Sequence, residues 1–85
     1  MTRVRPVSFK ADSYVTFEGT RPSKVYFIVK GKVENMTTER VLPKGAFFGE
    51  KEVLNGDSYR KESYLAKEDS YFLYYSSEDF LEILS

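Results

Sequence analysis

The chain has 85 residues, 13 Lys and Arg balance 13 Asp and Glu, and both cysteine and histidine are absent. This length has room for one domain, residues 1–85, and the balanced charge gives no global field to attract nucleic acid or an anionic membrane. The absence of cysteine excludes disulfides and thiolate metal sites. The absence of histidine excludes imidazole metal sites and histidine-based hydrolysis. We therefore expect a cytoplasmic protein that is not an enzyme and binds no metal.

Short apolar runs punctuated by glycine, proline and asparagine predict a mainly β fold. No run approaches the roughly 18 apolar residues that a membrane-spanning helix needs. Gly31 follows the most apolar run and is expected to take a positive φ in a tight turn. Val41 and Leu42 lead to a further turn at Pro43-Lys44-Gly45. The predicted strands are Tyr14–Phe17, Val25–Val29, Lys32–Met36, Tyr59–Ala66 and Ser70–Tyr75.

The end of the chain has the pattern of a short helix. Ser76 is placed to cap the backbone amide of Asp79, and Phe80, Ile83 and Leu84 fall on one helical face. This apolar face has two readings, since the same residues suit packing on the barrel or on a second copy in a homodimer. The sequence leaves both open.

The stretch "AFFGEKEVLNGDSYRKESYLA", residues 46–66, places Phe-Gly-Glu ten residues ahead of an arginine. A carboxylate at Glu50, a flexible backbone at Gly49 and a guanidinium at Arg60 suit a small anionic ligand, since the planar guanidinium binds two anionic oxygens at once. An ordinary loop braced by a Glu50–Arg60 ion pair uses the same residues, so both interpretations are kept.

Several motifs occur in a fixed order: "FEGT", "VYFIVKGKV", "VLPKGAFFGE", an Arg-x-x-Ser strand ending in alanine, and "SSEDFLEIL". This set resembles the cyclic-nucleotide-binding domain shared by catabolite-activator-type transcription regulators, cyclic-nucleotide-dependent kinases and gated channels. The resemblance runs from about Phe9 to Leu84. It implies an antiparallel, jelly-roll-like β-roll with a short helical turn in a phosphate-binding cassette and a short C-terminal helix.

The resemblance also implies roles within the cassette, which runs from Phe48 to Arg60. Glu50 would accept hydrogen bonds from a ribose 2′-hydroxyl, and Arg60 would pair with the cyclic phosphate. Gly49 and the backbone amides of Lys51 and Glu52 would supply further donors at the start of a helical turn.

Four residues depart from the family pattern. Lys51 and Glu52 follow Phe-Gly-Glu, where the family prefers an apolar and then a small residue, and Lys61 and Glu62 follow Arg60, where it prefers small residues. Because strand residues two apart share a face, we expect Glu62 to pair with Arg60 and imitate a ligand. Glu52 adds a carboxylate near the same anion, and the two lysines are candidates to compensate.

The sequence therefore predicts a regulatory sensor domain for a small anionic effector, with a cyclic nucleotide as the candidate, and without another cofactor. The alternative is a degenerate β-roll that binds no nucleotide and serves as a structural or protein-interaction domain. Either would act through an output domain, a protein partner or a homodimer, without direct nucleic-acid binding or membrane contact. The predicted ligand-binding residues are Phe48, Gly49, Glu50, Lys51, Glu52, Arg60, Lys61 and Glu62.

Overall fold

The computed structural model describes residues 3–85, which form two four-stranded antiparallel sheets and two short helices. In spatial order the first sheet contains β1 (Arg5–Phe9), β8 (Ser70–Ser76), β3 (Lys24–Lys30) and β6 (Phe47–Phe48). The second contains β2 (Tyr14–Thr16), β7 (Tyr64–Ala66), β4 (Val33–Asn35) and β5 (Arg40–Leu42). The helices are α1 (Glu50–Asn55) and α2 (Ser77–Leu84). The predicted β-roll with a helical turn and a terminal helix is confirmed.

The core is built from aromatic and branched side chains of both sheets. Phe48 is its centre: the ring stacks on Tyr26 at a centroid distance of 5.0 Å, lies 4.8 Å from Tyr64 and meets Phe72 edge-on at 5.4 Å. Aromatic pairs of this kind add about 0.5–1.5 kcal/mol each beyond area burial. Phe48 is the first residue of the cassette, so the core fixes where the cassette begins. The buried cluster consists of Tyr26, Ile28, Val33, Phe48, Tyr64 and Phe72.

Strand β1 was missed from the sequence because its composition is atypical. It pairs with β8 alone and forms the edge of its sheet, where the missing N–H of Pro6 is tolerated. Only Val7 and Phe9 turn towards the core. An edge strand with a charged residue, a proline and one half-buried face gives too few apolar positions for a pattern to be detected.

The predicted strand Tyr59–Ala66 is wrong in its first half, because regular pairing begins only at Tyr64. The backbone N–H of Lys61 donates to a side-chain carboxylate, that of Glu52, at 3.1 Å. The N–H of Arg60 donates to the carbonyl of Thr20, which lies in a loop. The chain before Tyr64 is thus held by a side chain and a loop, and the alternation of a strand does not apply to it.

Gly31 has the predicted positive φ, at 105°, in the turn between β3 and β4. It also approaches another element closely. A Cβ on Gly31 would lie 2.8 Å from Cα of Ser70 at the start of β8 and closer still to its side chain. Glycine is required here for the turn and for the contact between β8 and the turn.

Helix α2 packs against β8, β3 and α1. Phe80 of the predicted apolar face is half-buried, whereas Ile83 and Leu84 remain mostly exposed. The face therefore packs on the barrel only through its first turn. Within residues 3–85 no helix combines the length and apolar character needed to cross a membrane.

The start of α2 is capped as predicted, since the N–H of Asp79 donates to Oγ of Ser76 at 3.1 Å. We expect Ser76→Ala to lower the free energy of unfolding by about 1 kcal/mol, because a helix-end amide loses its acceptor. Urea unfolding followed by far-ultraviolet circular dichroism measures the change. Ser85→Ala, at the other end of the same helix, is the control, and an equal effect of the two changes would contradict the capping role.

Candidate functional site

Helix α1 starts directly behind β6 because Gly49 turns the chain. Gly49 has a φ of 84°, a left-handed conformation that glycine adopts without strain. A Cβ at this position would lie 3.0 Å from Nη1 of Arg60, so the guanidinium also needs the space. The helix ends at Gly56 in the same left-handed conformation. The two glycines thus define a six-residue helix between the core and the loop that carries Arg60.

Arg60 points inward and is only 3% exposed. Its Nη1 donates to the carbonyl oxygen of Gly49 at 2.6 Å and to Oε1 of Glu52 at 3.2 Å, and its Nη2 donates to the carbonyl oxygen of Lys24. The guanidinium therefore joins the start of α1 to the start of β3. Three acceptors of the protein itself hold it.

Glu52 is the acidic partner of Arg60 and is equally buried. One carboxylate oxygen accepts from Arg60, and the other accepts from the backbone N–H of Lys61 at 3.1 Å. At an effective dielectric near 20, unit charges at the 3.2 Å separation of Arg60 and Glu52 attract by about 5 kcal/mol before desolvation is subtracted. Guanidinium and amide converge on one carboxylate, which is the arrangement that binds an external oxyanion.

The predicted Arg60–Glu62 ion pair is wrong. Oε1 of Glu62 lies 3.9 Å from Nζ of Lys51 and accepts from the hydroxyl of Tyr64 at 3.3 Å. The prediction assumed strand alternation, and the segment before Tyr64 is not a strand. A carboxylate does occupy Arg60 as expected, but Glu52 supplies it from α1.

The charges of the cassette and of the two residues that follow it, Lys61 and Glu62, are nearly balanced. Residues 50–62 contain four carboxylates and three cations, a formal charge of −1. Each cation has a carboxylate partner: Arg60 pairs with Glu52, Lys51 with Glu62, and Lys61 with Asp57 at 3.6 Å. The lysine pairs involve side chains about 70% exposed and contribute at most about 1 kcal/mol each. The two lysines were expected to offset the negative charge of Glu52 and Glu62 near the bound anion. They are instead paired with neighbouring carboxylates.

The predicted site residues lie around α1 and line different cavities. Glu50 and Lys51 border a cavity of about 170 Å³ whose lining does not include Arg60. Arg60 borders a cavity of about 280 Å³ next to β2, and Glu52 one of about 480 Å³ that reaches α2. Ligand pockets for small molecules usually enclose about 300–1,000 Å³, so the Glu50 cavity is small for a nucleotide. Phe48 is buried in the core, where its packing fixes the position of the start of the cassette.

The sequence interpretation missed six residues that line the Glu50 cavity, among them the polar residues Asn35, Arg40 and Tyr64. The side-chain oxygen of Asn35 accepts from the amides of Thr37 and Thr38, so Asn35 shapes the turn between β4 and β5. An asparagine ahead of two threonines is a turn signal that identifies this role. Arg40 carries no such signal, because only the register of β4 against β5 brings it to the cavity.

Burial raises the pKa of the Tyr64 phenol, and the neighbouring Glu62 carboxylate raises it further. Because the folded state holds this proton more tightly than the unfolded state, the resulting stability is present below the ordinary tyrosine pKa of about 10 and is lost as the pH rises above it. We expect Tyr64→Phe to flatten the loss of stability above about pH 10. Urea unfolding from neutral to alkaline pH tests this, with the exposed Tyr59→Phe as control. Equal slopes for Tyr64→Phe and the unchanged protein would contradict it.

The chain is similar in sequence to one protein family and in fold to solved structures of other proteins. A family model described as "Cyclic nucleotide-binding domain" matches residues 6–85. The cAMP-bound protein PfPKA-R, residues 141–441, superposes with a TM-score of 0.89 at 17% identity, over 98% of this chain and 30% of that one. The c-di-GMP-responsive global regulator CLP of Xanthomonas campestris superposes with a TM-score of 0.82 at 15% identity, over 95% of this chain and 43% of that one. No curated protein sequence matches significantly. The identities to the two structures are low, so those similarities show the fold, and this chain spans less than half of either protein.

Proposed function

Because the chain belongs to the cyclic nucleotide-binding domain family, we propose that it is a non-enzymatic regulatory domain that binds a small anionic effector, a cyclic nucleotide, at the cassette. One observation carries this proposal: Nη1 of Arg60 and the backbone N–H of Lys61 converge on a single carboxylate. Two such donors form an anion subsite. In the free domain Glu52 occupies it.

Effector binding then requires an exchange of anions. The phosphate takes the place of the Glu52 carboxylate on Arg60 and Lys61, and Glu50, which forms no ion pair within residues 3–85, accepts from a sugar hydroxyl. The exchange is costly because Glu52 gives up both contacts, so the affinity is weak. Movement of Glu52 also shifts α1, which contacts α2 and β3, and this shift is the signal passed to an output domain or a protein partner.

The second candidate is a β-roll that binds no nucleotide and serves as a structural or protein-interaction domain. It is favoured by the complete pairing of the cassette cations with internal carboxylates. In this case the Glu52–Arg60 pair is permanent and braces α1 against the barrel. The two candidates differ in one measurable property, whether a cyclic phosphate displaces Glu52.

Calorimetric titration of the domain with cyclic AMP and cyclic GMP tests the proposed function. Glu50→Ala is the informative variant, because this partly exposed side chain makes no hydrogen bond within the described residues and its removal should leave the fold intact. Glu68→Ala makes the same charge change in an exposed turn remote from the cassette and is the control.

We expect saturable, weak binding that becomes markedly weaker in Glu50→Ala and is unchanged in Glu68→Ala. Loss of one well-placed hydrogen bond to a charged group corresponds to roughly a tenfold or larger decrease in affinity. Absence of binding by a folded domain up to millimolar nucleotide would exclude the effector role and favour the second candidate. Equal affinities in the two variants would remove Glu50 from the site.

A further inference from the structure

The loop between β2 and β3 encloses a polar cavity of about 280 Å³ that is distinct from the Glu50 cavity. We call it the β2–β3 cavity. Three cationic residues contribute to its lining, Arg21, Lys24 and Arg60, together with four hydroxyl-bearing residues. None of the described residues that line it is an aspartate or a glutamate. This composition favours an anion, because positive charge and hydroxyl donors meet without a competing carboxylate in the wall.

Thr16 is the feature of this cavity that the fold itself does not explain. The residue lines the cavity and is 8% exposed, and its Oγ1 is buried without a hydrogen-bond partner within residues 3–85. Buried hydroxyl groups are normally paired, because an unpaired one loses its hydration without compensation. Because Oγ1 itself has almost no accessible surface, it meets a ligand only after rotation of the Thr16 side chain towards the cavity. A ligand oxygen that then accepts from Oγ1 supplies the missing partner.

The cations at the cavity retain unused donors. Arg60 uses both hydrogens of Nη1 and one of Nη2, so Nε and the second hydrogen of Nη2 have no acceptor within residues 3–85. Arg21 is exposed and forms no ion pair in the described part of the chain. Nζ of Lys24 lies 5.0 Å from the ring centroid of Tyr74, which is not an acidic partner. The charge of Arg60 is balanced by Glu52, so this residue offers hydrogen-bond donors, whereas Arg21 and Lys24 offer positive charge without a carboxylate partner in the described part of the chain.

The walls of the cavity are held in place before any ligand arrives. The N–H of Arg60 donates to the carbonyl of Thr20 at 2.6 Å, and the N–H of Gly19 donates to the carbonyl of Arg60 at 2.7 Å. On the other side, the N–H of Ser77 donates to the carbonyl of Ser23 at 2.9 Å. These contacts attach the loop to the arginine segment and to α2, so little ordering is needed on binding.

We propose that the β2–β3 cavity is a second anion site, which binds a phosphate group through Thr16, Arg21 and the unused donors of Arg60. A tetrahedral oxyanion suits it because hydroxyl and guanidinium donors reach it from different walls, and the volume takes one phosphate with a small substituent. The ligand is inorganic phosphate or a small phosphate monoester. Besides residues of β2 and the loop that follows it, the site uses donors of Arg60 that the contacts with Gly49, Glu52 and Lys24 leave free, so it does not require the effector role of the cassette.

Nuclear magnetic resonance titration tests the proposal with inorganic phosphate and, in parallel, glycerol 3-phosphate, at constant ionic strength maintained with chloride. The expected result is a saturable shift of the Thr16 and Arg21 amides and of the Arg60 Nε resonance, in the millimolar range. The tighter of the two ligands identifies the source of the phosphate. Shifts confined to the amides around Glu52 and Lys61, or shifts that chloride reproduces, would overturn the site.

Arg21→Gln is expected to weaken phosphate binding by about tenfold, the effect of losing one charge-assisted hydrogen bond. Arg5→Gln, the same change on the exposed edge strand, is the matched control. Thr16→Val should also weaken binding while melting at the same or a higher temperature, because a methyl replaces an unpaired hydroxyl. Unchanged affinity in Arg21→Gln and Thr16→Val would contradict the assignment.

Phosphate binding in the β2–β3 cavity and nucleotide binding at the cassette can be measured separately. Cyclic nucleotide bound at the cassette is followed at the amides of Lys51 and Lys61, whereas phosphate in the β2–β3 cavity is followed at Thr16 and Arg21. Failure of the cyclic nucleotide to bind leaves the phosphate titration fully interpretable. Failure of phosphate to shift Thr16 and Arg21 likewise leaves the cassette titration unaffected.

Discussion

Arg60→Ala is expected to lower the free energy of unfolding by about 3–5 kcal/mol, because it leaves the buried Glu52 carboxylate without its counter-charge. The carbonyl oxygens of Gly49 and Lys24 lose their donor in the same change. A domain of 85 residues has a total stability of only about 4–13 kcal/mol, so the variant should be near the limit of folding. Urea unfolding at neutral pH measures the loss.

Lys61→Ala is the matched control for this prediction. It removes the neighbouring cation, whose side chain is 71% exposed, and keeps the backbone N–H that Glu52 uses. We expect a change of less than about 1 kcal/mol. The double variant Glu52→Ala/Arg60→Ala should lose less than the sum of the two single variants, since no buried charge is left unpaired. Equal losses for Arg60→Ala and Lys61→Ala would show that Arg60 has no structural role.

Glu52→Ala is expected to raise the affinity for cyclic nucleotide by roughly 10- to 100-fold, because the anion subsite loses its internal occupant. The same change should lower the stability of the free domain by about 3 kcal/mol, since Arg60 is then left without a carboxylate. Added nucleotide should restore much of this stability, because ligands that bind only the folded state stabilise it. Calorimetric titration and thermal melting with and without nucleotide measure the two effects.

Glu62→Ala is the control that separates the observed pair from the one the sequence predicted. Its carboxylate contacts Lys51 and Tyr64, so its removal should change nucleotide affinity by at most about fivefold. An increase in affinity with Glu62→Ala that equals the increase with Glu52→Ala would mean that general negative charge near the pocket weakens binding. The specific occupation of Arg60 would then be refuted.

The sequence predicted the fold well because the fold depends on local signals. Short apolar runs between turn residues identified most strands, Gly31 marked the turn after β3, and Ser76 marked the start of α2. The ordered motifs identified the family, which the family model confirms over residues 6–85. Strand β1 escaped because an edge strand with proline lacks a repeating apolar pattern.

The details of the cassette were predicted less well because they depend on contacts between distant elements. The sequence placed Arg60 in the correct segment and indicated that a carboxylate would neutralise it. It selected Glu62 by strand alternation, but the bond between Glu52 and the amide of Lys61 holds that segment out of the sheet. Such a bond joins residues nine positions apart and leaves no periodic trace in the sequence. Arg40 was missed for the same reason, since the pairing of β4 with β5 places it at the Glu50 cavity.

The departures from the family pattern acquire a physical meaning in this structure. Glu52 stands where the resemblance leads one to expect a small residue, and its carboxylate accepts from Arg60 and from the backbone N–H of residue 61. Lys51 and Glu62 form a second contact between the same two segments. Glu52, Lys51 and Glu62 thus fasten α1 to the segment around Arg60, whereas the side chain of Lys61 pairs with Asp57 beyond the end of α1.

The most direct test of the proposed anion subsite is a crystal structure of Glu52→Ala with cyclic AMP. We predict that phosphate oxygens lie within hydrogen-bonding distance of Nη1 of Arg60 and the backbone N–H of Lys61, in the space that the Glu52 carboxylate occupies in the free domain. A nucleotide bound with its phosphate elsewhere, and Arg60 still held only by the carbonyls of Gly49 and Lys24, would contradict the proposal.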